Sequence, residues 1–338
     1  MSNKSFADAP RDSLPIIFAL SAPVLTEQER DFFKEARPFG FIFFNKDGAR
    51  NIESPDQVKA LSASLQDAVG WECPILIDQE GGRVQRLRAP KWRNYPPARS
   101  FGELAEHNPD KALEDLRFNS LQMIEDLKAC GINVNCTPVI DVLSKETHDV
   151  IGDRAFSSDP VIVARLGLSV CRHYLANNIT PIIKHIPGHG RAAADSHLEL
   201  PVVEAGSNDL ATRDFKPFAD IATSEVGSAV WAMTAHVKYS ALDDKPVTIS
   251  SEIIEKTIRS QICFEGILIS DDLDMKALEP YGAPPEMAVQ SLKAGCDLTL
   301  HCSGELAMMK KIAEKLPKIS DSALKRLQSG AELRKKVA

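Results

Sequence analysis

The sequence predicts a single (β/α)8 barrel spanning residues 1–338, and three observations support this prediction. Eight short apolar runs, bounded by turn or polar residues, alternate with segments of helical pattern along the chain. The runs are apolar throughout, as is typical of parallel strands buried on both faces. Ionisable residues follow the ends of these runs, where parallel barrels place their functional groups.

The predicted strands lie at residues 15–20, 40–44, 74–78, 132–136, 181–185, 230–236, 266–271 and 297–302. A signal peptide is an alternative interpretation of the first run, "LPIIFALSAP", but Asp8 and Asp12 precede it and favour a buried strand. An open doubly wound sheet is the alternative fold. It requires a glycine-rich phosphate loop after the first strand, and "ALSAPVLTEQE" contains none.

Helical patterns separate the strands. Residues 26–36 begin with a capping box, in which Thr26 is the N-cap and Glu29 lies three residues later. Residues 109–130 carry leucine and isoleucine at helical spacing. Residues 250–260 and 304–338 also have a helical pattern, which Pro317 interrupts in the second of them. No linker or low-complexity tract marks a boundary, so the sequence predicts one domain.

Composition narrows the class of partner. The chain of 338 residues is 43% hydrophobic and 26% charged, with a net charge of −7. This acidic balance argues against nucleic acid or an anionic membrane as partner. The seven cysteines include no CxxC pair and are typical of reduced core residues in a cytoplasmic protein. No apolar run approaches the roughly 20 residues that a transmembrane helix requires.

Ionisable residues at the predicted strand ends form a candidate site. The third strand leads into Asp78, the fifth ends at Lys184 and His185, and the seventh ends at Asp271. Because ionisable groups at such positions must be paired or desolvated, a purely structural barrel has no reason to collect them at one end.

The loop after the fifth strand, "IPGHGRAAADSH", adds a second carboxylate–imidazole combination. Asp195 lies two residues before His197, a spacing at which the carboxylate can hold the imidazole ring. We interpret His189 of the same loop as structural. The loop therefore predicts a group that can carry protons at the mouth of the barrel.

Structural alternatives exist for several of these residues. A helix-capping role suits Asp78 and Asp272, and the amine of Lys184 could extend to solvent. The two remaining strand-end histidines, His236 and His301, could be core residues whose ring nitrogens are satisfied by neighbours. The sequence leaves these alternatives open.

Taken together, the motifs resemble those of glycoside hydrolase family 3. The motif "KHIPGHG" followed by "DSH" has "IDQEGGRVQRL" upstream and "SDDLDM" downstream, in the order of that family and along most of the chain. The resemblance implies a barrel glycosidase that removes terminal β-linked N-acetylglucosamine (GlcNAc) with retention of configuration. It also implies a muropeptide substrate of cell-wall recycling in the cytoplasm, no cofactor, no metal, and no nucleic-acid or membrane partner. We expect a monomer.

The resemblance also assigns roles to individual positions. Asp271 matches the nucleophile, His197 matches the general acid/base, and Asp195 matches the partner of that histidine. The positions that match sugar-binding residues are Asp78, Arg86, Arg154, Lys184 and His185. These assignments suit retaining hydrolysis, which needs a carboxylate to attack the anomeric carbon and a group that protonates the leaving oxygen. An imidazole held by a carboxylate can supply that proton near neutral pH.

Other activities remain as alternatives. Phosphorolysis within the same family would use phosphate instead of water, and an uncharged acid/base would not repel that anion. A metal-dependent amidohydrolase barrel requires an HxH pair after the first strand, which this sequence lacks. A Schiff-base enzyme would use Lys184 but leaves Asp271 and the DSH motif unexplained. A binding protein without catalysis is disfavoured because all the proposed catalytic residues are present.

Overall fold

The computed structural model describes residues 6–45 and 51–337 and shows a closed barrel of eight parallel strands. In chain order the strands are β1 (Leu14–Ala19), β2 (Pro38–Phe43), β3 (Ile75–Ile77), β4 (Val134–Asn135), β5 (Thr180–Ile186), β6 (Trp231–Thr234), β7 (Leu268–Asp272) and β8 (Leu298–His301). Strand β1 pairs with β2 on one side and with β8 on the other, which closes the barrel. The predicted (β/α)8 barrel is confirmed, and each predicted strand overlaps an observed one.

Helices surround the barrel. They are α1 (Glu27–Ala36), α2 (Pro55–Val69), α3 (Ala98–His107), α4 (Pro109–Ala129), α5 (Pro160–Ala176), α6 (Lys216–Ala222), α7 (Ile253–Gln261), α8 (Pro284–Ala294), α9 (Leu306–Ala313) and α10 (Asp321–Val337). Helix α7 is a π-helix, as is the turn Leu210–Asp214 before α6. Two short strands, Val202–Val203 and Lys238–Tyr239, pair outside the barrel.

Helix boundaries follow the local chemistry that the sequence indicates. At the start of α1, Thr26 Oγ1 accepts the N–H of Glu29 at 3.2 Å, and Glu29 Oε2 accepts the N–H of Thr26 at 3.0 Å. The predicted capping box is therefore confirmed. Pro317 separates α9 from α10, as expected of a residue that has no backbone N–H to donate.

Alternate residues of each strand face different parts of the core. In β1, Ile16 and Phe18 pack in the outer cluster with the helices, whereas Ile17 belongs to a separate cluster inside the barrel. Leu327 of α10 joins that inner cluster together with Trp231, the first residue of β6. Helix α10 therefore covers the amino-terminal end of the barrel, and the carboxyl-terminal end is left for the functional site.

The cysteines and the length of the apolar helices bear on two further predictions from the sequence. All seven cysteines are unpaired, and five of them are buried. In the parts of the chain that the structure describes, no helix has both the length and the apolar character needed to span a bilayer.

Asp297, directly before β8, connects three elements at the amino-terminal end. Its carboxylate accepts hydrogen bonds from Arg259 of α7 and Arg326 of α10, both at 2.8 Å, and from the N–H of Leu268 in β7 at 2.9 Å. The Asp297 side chain is 3% exposed. Because a buried carboxylate of this kind satisfies two guanidinium groups, its loss would leave both of them without a counter-charge.

We expect Asp297→Asn to lower the free energy of unfolding by about 3–5 kcal/mol, the usual cost of breaking a buried ion pair from one side. Urea denaturation measures this change. The matched control is Asp321→Asn, whose partner Arg11 and whose own side chain are both more than three-quarters exposed. That variant should lose no more than about 1 kcal/mol. Equal losses in the two variants would contradict a structural role for Asp297.

Candidate active site

A cleft opens at the carboxyl-terminal end of the barrel, with a volume of about 710 Å³ including its mouth. Seven of the eight site residues predicted from the sequence line it: Asp78, Arg86, Arg154, Lys184, His185, His197 and Asp271. The eighth, Asp195, is not among the lining residues but is hydrogen-bonded to His197. The structure thus brings together residues that are almost 200 positions apart in the chain.

One wall of the cleft is a network of buried charges. Lys184 Nζ lies 2.8 Å from Asp78 Oδ1 and 2.7 Å from Glu80 Oε1. Arg154 binds both oxygens of Glu80, at 2.8 and 2.9 Å, and Arg86 donates to Asp78 Oδ2 at 3.1 Å. The Lys184 side chain is only 3% exposed, so the alternative in which its amine extends to solvent is wrong.

The network keeps its members charged. Burial alone would raise the pKa of Asp78, but Lys184 and Arg86 outweigh it and hold that pKa well below its usual range. Burial likewise raises the pKa of Glu80, while Arg154 and Lys184 lower it to a net value below the ordinary one. Burial lowers the pKa of Lys184, yet the two carboxylates raise it overall. At neutral pH three cations therefore surround two carboxylates.

Sequence reasoning gave no role to Glu80 or to Asp141, although both follow predicted strands. Glu80 lies two residues after Asp78, and this position shortly after β3 is the feature of the sequence that could have indicated a functional role. Its partners could not be inferred, because Arg154 and Lys184 come from distant parts of the chain.

Asp141 is fully buried and fixes the start of the loop after β5. Its Oδ2 lies 2.7 Å from His185 Nδ1, and its Oδ1 accepts the N–H of His189 at 2.6 Å. Burial raises the pKa of Asp141, but His185 and His189 lower it overall, so the group is a carboxylate. His185 Nδ1 therefore carries the hydrogen of this bond. Burial lowers the pKa of His189 to about 4, which keeps the ring neutral at neutral pH.

The predicted Asp195–His197 pair is present. Asp195 Oδ1 accepts hydrogen bonds from both Nδ1 and the backbone N–H of His197, at 2.8 and 2.9 Å. Partial burial raises the pKa of Asp195, whereas these two hydrogen bonds lower it overall. Asp195 is thus a carboxylate and orients the ring through Nδ1. The His197 side chain is 57% exposed and lines the cleft, and Asp195 engages the Nδ1 side of its ring.

Backbone contacts hold the loop that carries this pair. The carbonyl oxygen of Gly190 accepts a hydrogen bond from Ser144 at 3.2 Å, and that of Ala192 accepts the N–H of His148 at 2.9 Å. A Cβ at position 190 would lie 1.9 Å from the carbonyl oxygen of Val142, so only glycine fits there. The loop is therefore anchored shortly before Asp195.

Asp271 lies at the end of β7, across the cleft from the charged network. Its Oδ1 accepts the N–H of Asp272 at 2.8 Å. Burial raises the pKa of Asp271, but His236, His185 and this N–H together lower it below its ordinary value. Asp271 is therefore ionised at neutral pH.

His236 supports the end of β7. The ring is fully buried, and burial lowers its pKa, so it is neutral at neutral pH. Its Nε2 donates to the carbonyl oxygen of Asp272 at 2.9 Å, and its Nδ1 accepts from the Thr248 hydroxyl at 2.7 Å. His236 is thus a satisfied core histidine, which is one of the two interpretations that the sequence left open.

A parallel barrel whose carboxyl-terminal cleft brings together ionised carboxylates and a carboxylate-oriented imidazole has the arrangement of a barrel enzyme's active site. The sequence profile described as "Glycosyl hydrolase family 3 N terminal domain" matches residues 26–329. The chain belongs to glycoside hydrolase family 3, as the motif resemblance indicates.

Individual relatives agree with this assignment. A protein of Nitrosomonas eutropha named beta-hexosaminidase is 36% identical over 289 residues, which cover 86% of this chain and 80% of that protein. NagZ of Neisseria gonorrhoeae, solved with N-trifluoroacetyl-D-glucosamine, superposes with a TM-score of 0.83 at 29% identity over 96% of this chain and 93% of that one. A family 3 β-N-acetylglucosaminidase of Paenibacillus sp. also gives 0.83 at 28% identity over 96% of this chain, which spans only 61% of that enzyme.

We expect Glu80→Gln to lower the free energy of unfolding by about 3 kcal/mol at neutral pH, because Arg154 and Lys184 lose a buried counter-charge. Glu80 has a lowered folded-state pKa, so its contribution is complete above about pH 4.3, the unfolded value, and disappears as the pH falls through the folded value. The difference between variant and wild type should therefore shrink toward about pH 3.

Urea denaturation at both pH values measures this difference. The control is Glu125→Gln, whose carboxylate is 69% exposed and pairs with Arg93, and which should change stability little at either pH. A gap between Glu80→Gln and wild type that stays constant with pH would contradict the ionised state of Glu80.

Proposed function

We propose that the protein is a retaining, exo-acting β-N-acetylhexosaminidase that removes terminal β-linked GlcNAc. One observation carries this proposal: the ionised carboxylate of Asp271 and the imidazole of His197, which Asp195 orients, lie in the same cleft as the network of buried charges. The names of the relatives, beta-hexosaminidase and β-N-acetylglucosaminidase, support the substrate class.

In the first step, a carboxylate oxygen of Asp271 attacks the anomeric carbon and forms a glycosyl ester. The bond from that carbon to the leaving oxygen breaks, and its electron pair stays with the oxygen. Because Asp271 is ionised and its Oδ1 already accepts the N–H of Asp272, the oxygen available for attack is Oδ2.

The proton for the leaving oxygen comes from Nε2 of His197 in its imidazolium form. Asp195 stabilises that cation through Nδ1 and fixes the direction of the ring. In the second step the neutral imidazole takes a proton from water, whose oxygen attacks the anomeric carbon and releases Asp271. A histidine in this role places no second negative charge beside the nucleophile.

The charged wall binds the sugar hydroxyl groups. Asp78 offers acceptor oxygens, and Arg86, Arg154 and Lys184 offer donors whose positions are fixed by their mutual ion pairs. Groups locked in this way lose little freedom when a sugar binds. His185 completes the wall, with Nδ1 bound to Asp141 and Nε2 left for the ligand.

The physiological substrate that we propose is a muropeptide, GlcNAc-1,6-anhydro-MurNAc carrying a peptide, and the process is peptidoglycan recycling in the cytoplasm. The similarity to NagZ supports this choice. We further propose that residues 1–338 form one catalytic domain that is active as a monomer, because the closed barrel contains every group that the mechanism uses.

Phosphorolysis is a second candidate function, and one observation favours it. The wall carries three cations for two carboxylates. The proposed acid/base is an imidazole, so a phosphate ion would meet less repulsion here than in a site whose acid/base is a carboxylate. The names of the relatives favour water as the acceptor.

The first test is p-nitrophenol release from p-nitrophenyl β-N-acetylglucosaminide in phosphate-free buffer, with the β-glucoside as the comparison substrate. Rapid release from the acetylated sugar alone is expected. Release that begins only after phosphate is added would identify a phosphorylase. No release under either condition from folded protein would overturn the proposed function.

The roles of the catalytic residues predict different dependence on the leaving group. His197→Gln should reduce kcat/KM at least about 100-fold for a GlcNAc disaccharide, which needs protonation, but far less for the 2,4-dinitrophenyl glycoside. Asp271→Asn should inactivate the enzyme toward both substrates, because it removes the nucleophile. Equal effects of His197→Gln on the two substrates would exclude it as the proton donor.

A further inference from the structure

We propose that Asp272, Asp274 and His301 form a binding site for one divalent transition-metal ion, with zinc as the best-matched ion. The site lies where β7 and β8 end, beside the cleft. It is not part of the proposed catalytic mechanism and does not depend on the proposed function. The family resemblance implies no metal, and the proposal rests on how the fold brings these three side chains together.

The three side chains converge. One ligand atom from each of Asp272, Asp274 and His301 lies within 4.8 Å of the other two. The closest pair is His301 Nδ1 and Asp274 Oδ2, at 2.9 Å. Zinc binds carboxylate oxygen and imidazole nitrogen at about 2.0–2.2 Å, which places neighbouring ligand atoms roughly 3.0–3.5 Å apart. The 2.9 Å between His301 Nδ1 and Asp274 Oδ2 is close to the lower end of this range.

The strongest observation is the state of His301. The residue is fully buried, yet Nδ1 makes no hydrogen bond, because its contact with Asp274 Oδ2 falls outside hydrogen-bond geometry. Two ligands of one ion have this arrangement, since the lone pairs of both atoms are directed at the ion and not at each other. A buried nitrogen without a partner otherwise costs free energy.

The contact of the second ring nitrogen is compatible with the tautomer that metal binding needs. His301 Nε2 lies 2.9 Å from Ser303 Oγ, to which it can donate its hydrogen. Nδ1 then holds the lone pair. A hydrogen bond on the far nitrogen is the usual outer support of a metal-bound histidine.

Asp272 has one oxygen to spare. Its Oδ1 accepts the N–H groups of Asp274 at 3.1 Å and Cys302 at 3.0 Å, which hold the carboxylate in place. Within the residues that the structure describes, Oδ2 has no hydrogen-bond partner, and no lysine or arginine forms an ion pair with Asp271, Asp272 or Asp274. A cation would therefore compensate the negative charge that gathers here.

The donor set selects the type of ion. Two carboxylates and one imidazole suit zinc and its transition-metal neighbours, whereas calcium and magnesium prefer an all-oxygen shell. Three protein ligands leave at least one coordination position for water, which the exposed side of Asp274 can admit.

Isothermal titration of chelator-treated, full-length protein with zinc chloride tests the site, in a non-coordinating buffer near neutral pH. We expect one ion per chain. Cobalt substitution should give visible absorption bands of a site with nitrogen and oxygen ligands. Absence of measurable zinc binding by the wild-type protein would overturn the proposal.

Two variants locate the ion. Asp274→Asn and His301→Gln should each weaken zinc binding at least about tenfold. Because Asp274 is on the surface, its variant is expected to fold even if the buried His301 variant does not, and circular dichroism without metal verifies this.

The matched control is the second carboxylate–imidazole pair of the cleft. Asp195→Asn and His197→Gln should leave the zinc affinity unchanged. Loss of binding in these two variants, with retention in Asp274→Asn, would place the ion at the Asp195–His197 pair and overturn the proposal. Because binding is the readout, neither result depends on which glycoside the enzyme cleaves.

Discussion

The buried ion pair between Lys184 and the carboxylates of Asp78 and Glu80 is the interaction on which the rest of the site depends. It joins the ends of β3 and β5 inside a low-dielectric cleft. Charges at such depth are tolerated only when each has a close partner, so the spacing of these strand ends is fixed by electrostatics as well as by packing. The same pairing that stabilises the wall holds its oxygen and nitrogen atoms in defined directions, as the proposed recognition of sugar hydroxyl groups requires.

Two carboxylate–imidazole pairs follow β5, and their burial separates their roles. Asp141 and His185 are both buried, so the imidazole is held in one orientation and has little access to solvent protons. Asp195 and His197 form the same Nδ1 contact, but the His197 side chain is more than half exposed. An imidazole that must exchange a proton with substrate and water needs that access. The same carboxylate–imidazole contact in two environments thus suits His185 to a positioning role and His197 to the proposed proton transfer.

The fold was predictable because its signal is local. Each strand is a short apolar run, and the capping box at Thr26 is decided by residues three apart. The positions of Asp78, Lys184 and Asp271 at strand ends followed from the barrel itself. The partners of these residues were not predictable, because pairs such as Glu80 with Arg154 join segments far apart in sequence. The conformation of the loop before His197, which depends on contacts with Ser144 and His148, could not be predicted for the same reason.

Two aspartates at the end of β7 differ in protonation, and only the structure reveals this difference. Asp271 and Asp272 are adjacent, but alternation along the strand gives them different neighbours. The imidazoles and backbone N–H near Asp271 lower its pKa, whereas burial and the charge of Asp274 raise the pKa of Asp272 to about 7. His236 Nε2 donates to the carbonyl oxygen of Asp272 and so holds the peptide that follows this pair. Asp271, which is ionised at neutral pH, thus lines the cleft in a state that suits the proposed nucleophile. Asp272 lies with Asp274 and His301, where a proton or the proposed metal cation can balance its charge.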